Sequence, residues 1–155
     1  MYRHTQRSPL CLLLYGSGGV ALVMGAVADV PFPWNGWVAL ASGTMFLFAA
    51  SFHFLRVQDQ GEVLAIRFGP VPLFRKSIAY ADIRSVEPGR TMIIEGWGIH
   101  LSPRGGWVWN LWGRDCVVLH LRHGRFRLGT DDVGQLICHV QRQIDLNPSC
   151  ADTEP

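Results

Sequence analysis

Residue types able to do chemistry are thinly spread along this chain. His120 and His123 stand at H-x-x-H spacing. On a strand running into a turn their side chains leave opposite faces, whereas tetrahedral zinc needs ligands converging at about 2.0 to 2.1 Å. Cys11, Cys116, Cys138 and Cys150 include no C-x-x-C pair, and in a reducing compartment they read as free thiols or core filler. Gly16-Ser17-Gly18-Gly19 and Gly96-Trp97-Gly98 lack the lysine and the strand-loop-helix setting of a phosphate loop. Glu87 and Glu95 flank a turn and Asp115 opens a strand, with no histidine or nucleophilic serine spaced to work with them. The pattern points away from an enzyme, and no metal or cofactor is expected.

The segment Gly96 to Arg114 is different. Trp97, Trp107, Trp109 and Trp112 gather there with His100, Arg104 and Arg114 among glycines. A buried indole needs a partner for its N–H, and four are more than a small core readily hides. One reading has Trp97 and Trp109 filling the mouth of a small barrel while Trp107 and Trp112 line a bend. The other makes Trp97, Arg104, Trp107, Trp109, Trp112 and Arg114 the candidate ligand- or partner-binding residues. They would either dip into the inner lipid headgroups, with the arginines on phosphates, or dock a protein, since Trp and Arg dominate interface hot spots. A membrane-bound enzyme or small-ligand domain using residues 96–114 is the alternative.

The elements that must position these residues begin with an apolar tract. Leu10 to Ala28 carries no charge, and Trp34 to Leu55 carries only His53. A span needs roughly 20 such residues, so the tract predicts a two-helix transmembrane hairpin over 10–28 and 34–55. Arg3 and Arg7 precede it, Arg56, Arg67, Arg75 and Lys76 follow it, and the loop between has no Lys or Arg. The positive-inside rule then puts both termini in the cytoplasm and the lipid bilayer among the partners, as an integral one. Ala26-Val27-Ala28 behind an apolar run also fits a cleaved signal peptide covering residues 1–28. Small residues at helical spacing, Ser17, Ala21 and Gly25 with Ala39 and Gly43, pack the hairpin against itself or form a homo-oligomer interface.

Residues 1–9 read as a polar cytoplasmic tail, 56–147 as a second domain and 148–155 as a disordered tail. Within the domain, Leu64, Ile66 and Phe68 share one strand face, and Gly69-Pro70-Val71-Pro72 turns the chain. A strand resumes over Phe74 to Tyr80. A short strand around Ser85 to Glu87 ends at Pro88-Gly89, and another lies near Met92 to Ile94. Val117, Leu119 and Leu121, a turn at His123-Gly124, then Phe126 and Leu128 make a hairpin. After Thr130 the apolar period changes to 3.6 at Val133, Leu136, Ile137, Val140 and Ile144, an amphipathic helix stopped by Asn147-Pro148. The net charge of +2 and the lack of any recognition motif exclude nucleic acid as a partner.

The segments GWGIH (Gly96 to His100), NLWGRDCVVLHL (Asn110 to Leu121) and LGTDD (Leu128 to Asp132), with FGPVPLFRKSIAYADI upstream (Phe68 to Ile83), resemble the bacterial pleckstrin-homology-like domain that follows two membrane helices. The resemblance implies an α+β fold: a seven-stranded small barrel or sandwich closed by a C-terminal amphipathic helix. It also implies a multi-pass place in the bacterial cytoplasmic membrane and no known catalysis. The function expected is a membrane-tethered, non-enzymatic interaction or scaffolding module that binds a protein partner or inner-leaflet headgroups.

Overall fold

The computed structural model describes residues 1–28, 31–92, 98–103 and 105–146. Strand β1 (Arg3–Arg7) leads into helices α1 (Leu10–Val27) and α2 (Trp34–Ser51). Strands β2 (Phe54–Asp59), β3 (Val63–Phe68) and β4 (Arg75–Ala79) follow, then a 3-10 turn over Tyr80–Asp82. Next come β5 (Ile83–Arg90), β6 (Gly98–Leu101), β7 (Trp107–Asn110), β8 (Asp115–Leu121), β9 (Gly124–Gly129) and helix α3 (Val133–Leu146).

Alternation in the strands builds two sheets over one core. The first is antiparallel in the order β1-β2-β3-β4, and the second runs β5-β8-β9-β7-β6 with β7 and β9 parallel. Leu55 and Val57 of β2, with Leu64, Ile66 and Phe68 of β3, point inward and meet Val117, Leu119, Phe126 and Leu128 of the second sheet. Leu136 and Val140 of α3 complete that core, with Val133, Ile137 and Ile144 packed at its margin. The inward faces of β3, β8, β9 and α3 are those the periodicity selects. Strand β5 runs on through Pro88 and Gly89, which pair with Val117 and Cys116. It lies at a sheet edge, where a residue with no N–H to donate is tolerated. The strand expected near Met92 to Ile94 falls mostly outside the described residues.

The largest departure concerns the apolar tract. Arg3 to Arg7 is not a tail but pairs antiparallel with β2, Arg3 opposite Gln58 and Arg7 opposite Phe54. The two helices therefore form an insertion in a strand-to-strand connection. Each has 18 residues, about 27 Å at 1.5 Å per residue and short of the ~30 Å hydrocarbon layer. Their roots lie inside the domain, with Cys11, Ala49 and Ser51 buried, and α2 opens on the mixed sequence Trp34-Asn35-Gly36-Trp37. Among the described residues no helix is long and apolar enough to cross a membrane. That overturns the transmembrane hairpin over 10–28 and 34–55, the multi-pass cytoplasmic-membrane location and the lipid bilayer as an integral partner. Of the small residues, Gly25 packs the hairpin against itself, since a Cβ there would lie 2.8 Å from Val38, whereas Gly43 faces open space.

Gly69 fixes the hairpin to the first sheet. Its N–H donates to the Phe54 carbonyl at 2.7 Å, its φ is +54°, and a Cβ there would meet the Ala50 and Ser51 carbonyl oxygens at 2.4 Å. Phe52 then packs its ring edge on Phe68, 5.2 Å between centroids. Gly69→Ala combines a left-handed backbone with a clash against backbone that cannot turn aside. We expect it to lower unfolding free energy by about 2 kcal/mol or more, read as a reduced urea midpoint.

Candidate functional site

The tryptophan segment does not converge. Trp97 and Arg104 lie outside the described residues. Trp109 belongs to the core, 5.6 Å from the Phe68 ring and 5.8 Å from that of Phe126. Trp107, on the same face of β7, reaches past the core margin and is half exposed, and Trp112 sits partly exposed in the turn before β8. Arg114 closes that turn: its carbonyl accepts from the Thr91 N–H at 2.7 Å, and its Nε donates to the Thr91 carbonyl at 3.5 Å. His120 pairs with Glu87 across β5 and β8 at 2.9 Å. Among the described residues no group of three His, Cys, Asp or Glu side chains is placed to hold a metal ion, and Cys11, Cys116 and Cys138 form no disulfide with one another.

A cluster of interacting titratable side chains lies elsewhere, where β1, β2, the 3-10 turn and α3 meet. Strand alternation that aims Leu55 and Val57 inward must aim Asp59 inward too, and that carboxylate is buried. It accepts from the Gly61 N–H at 2.9 Å and from the Tyr80 hydroxyl at 3.2 Å. His139, one turn beyond Leu136 on α3, brings Nε2 to 3.2 Å from the Tyr80 oxygen and 3.4 Å from Asp59 Oδ2. In the Nε2–H tautomer the ring donates toward both oxygens while Tyr80 donates to Asp59. Tyr2 stacks on His139 with centroids 5.4 Å apart and donates its hydroxyl to Asp132 at 3.2 Å. His4 pairs with Asp131.

Electrostatics decide what this arrangement can do. Burial, reinforced by Asp59, raises the Tyr80 phenol well above its ordinary value, and burial with Asp132 does the same for Tyr2. Neither is a phenolate near neutrality. Burial pushes the His139 imidazole below its usual value, outweighing the attraction of Asp59, while the N-terminal amine and Arg142 push the same way. A relay base uses one ring nitrogen for its orienting acid and the other for the group it deprotonates. Here a single nitrogen faces both partners, and the arrangement acts as a polar clasp joining α3 to the end of the first sheet. The open groove nearby, about 700 Å³, is lined by Arg90, Asp115, Asp131 and Asp132. Arg90 is paired with Asp115 at 3.1 Å, and Asp131 and Asp132 are held by His4 and Tyr2.

Sequence reasoning passed over Asp59 and His139. The signal was present: a carboxylate in phase with Leu55 and Val57, and a histidine flanking the Leu136–Val140 stripe. Tyr80→Phe removes the hydroxyl from a buried carboxylate and should cost about 1 to 3 kcal/mol of unfolding free energy. For His139 the folded pKa lies below the unfolded one, so between the two the unfolded state binds more protons and stability falls as pH is lowered from about 6.5. His139→Gln should flatten that acid-side loss in denaturant midpoints measured from pH 7.5 to 5. A search against protein-family models finds no match to this chain, and a search of curated proteins finds none either.

Proposed function

We propose that the chain is a non-enzymatic assembly module: a pleckstrin-homology-like scaffold that self-associates through its helical hairpin. Two sheets and a C-terminal helix around one core support the scaffold reading. The observation that carries the assembly reading is the hairpin surface. Leu12, Leu13, Val20, Val23, Val27 and Leu40 are each at least 60 % exposed, and neither helix contains a charged side chain. Isolated soluble chains rarely leave more than a few hundred Å² of contiguous apolar surface uncovered.

The occupant is a second copy. An uncharged hairpin offers no electrostatic code for a different partner, only apolar area and shape, and every copy brings the same surface. One flank of the hairpin, about 27 Å long and two helix diameters wide, has a plan area of roughly 500 Å² before side-chain relief. That approaches the ~800 Å² per partner of stable complexes. Two hairpins packed about a two-fold axis make a four-helix arrangement, the commonest closed symmetry for such contacts.

Sedimentation of the full chain in detergent-free buffer should give a dimer at micromolar concentration. Leu13→Lys with Val23→Lys, both at exposed positions, should weaken association at least tenfold while leaving the circular dichroism of the sheets unchanged. A monomeric parent chain would overturn the reading. So would added phosphatidylcholine vesicles that take up the chain as a monomer and shield Trp34 and Trp37 from an aqueous quencher.

A further inference from the structure

We infer that the outer face of the first sheet is a binding site for a phosphate monoester group, with Arg56 and Arg67 as its principal ligands. Cross-strand register puts Thr5 opposite Arg56, Arg56 opposite Arg67, and Arg67 opposite Arg75. Three guanidinium groups thus stand in adjacent positions across β2, β3 and β4, and Arg3 and Arg7 flank them on β1. No Asp or Glu shares this face of the four strands, because Asp59, the one carboxylate in them, points inward. Among the described residues none of the five arginines makes an ion pair with a carboxylate.

Like charges directly opposite one another on neighbouring strands destabilise a sheet. Basic residues at sheet edges are a common guard against unwanted strand pairing, but Arg56 and Arg67 occupy the two central strands, where no edge needs guarding. An anion seated between them would offset that repulsion. The surface is shaped for one. Arg56, Gln58, Gln60, Ala65 and Arg67 line a depression of about 140 Å³, with small Ala65 as its floor and side-chain amides beside the guanidinium groups. Arg56 is held in place by donating Nε to Thr5 Oγ1 at 3.1 Å and by lying over the Phe54 ring at 5.1 Å. Its other N–H groups are left for a ligand. Burial and the repulsion of Arg3 and Arg67 weaken its hold on its proton, a repulsion that a bound dianion reverses. Planar guanidinium forks match phosphate oxygens two at a time, and a monoester presents three such oxygens, enough for both central arginines.

The test uses the full chain with two sources of phosphate at constant ionic strength: inorganic phosphate in solution, and vesicles of phosphatidylcholine with or without phosphatidic acid. Arg67→Gln is compared with Arg84→Gln, an exposed arginine on β5 outside the first sheet. If the group is soluble, phosphate binds the parent chain and Arg84→Gln alike, and Arg67→Gln at least tenfold more weakly. If it belongs to a lipid, phosphatidic acid increases vesicle retention in the same two proteins and not in Arg67→Gln. Without ligand, Arg67→Gln should unfold at the same or a higher urea midpoint, since it relieves repulsion; a purely structural arginine would lower it. Equal responses of Arg67→Gln and Arg84→Gln in both arms, or no response of the parent chain in either, would overturn the proposal.

Discussion

The pairing of β1 with β2 is the contact on which the other arrangements depend. Five consecutive partners, from Arg3 with Gln58 to Arg7 with Phe54, join the two ends of the helical insertion. A flexible tether would let the hairpin wander; two hydrogen-bonded strands fix its direction relative to the sheet, and Gly69 tucked beneath the end of α2 fixes its height. The same pairing delivers Tyr2 to the clasp, since the Asp59 N–H donates to the Tyr2 carbonyl at 2.8 Å. It also adds the fourth strand of the basic face.

Where one physical rule dominates, the residues announce the structure. Leu64, Ile66 and Phe68 alternate because one side of β3 is buried and the other wet, and Leu136 and Val140 recur at helical spacing because α3 lies across the second sheet. These elements were legible. Strand β1 was not: Arg-His-Thr-Gln-Arg has no apolar alternation, and its stability comes from a partner on the far side of the helical insertion. Strands β6 and β7 share that difficulty, being four residues each and bounded by glycines. The apolar tract misled for a different reason. Composition reports how greasy a segment is but not how much of it is rooted in a domain, and the burial of Cys11, Ala49 and Ser51 became visible only with the fold.

The candidate tryptophans illustrate a further limit. Trp107 and Trp109 are indistinguishable by type and lie on one strand face, yet the first overhangs the core margin and the second fills the centre between Phe68 and Phe126. Distance from a sheet's end decides burial, and one strand's sequence does not carry that distance. Charge was similarly hidden. A net value of +2 conceals an acidic groove beside the start of α3 and an arginine-lined face on the opposite sheet, because the pleat sorts neighbours in sequence onto opposite sides. Asp59 and Arg56, three residues apart, belong to different surfaces.

The stacking of Tyr2 on His139 joins segments separated by most of the chain, and this sets the order in which the molecule can be made. The ribosome releases β1 and the helical pair long before α3 exists, so the polar clasp cannot form during most of translation. Throughout that interval the uncharged helices are the most adhesive part of the nascent chain. Rapid local pairing of α1 with α2, neighbours in sequence, shortens the interval over which that surface is uncovered.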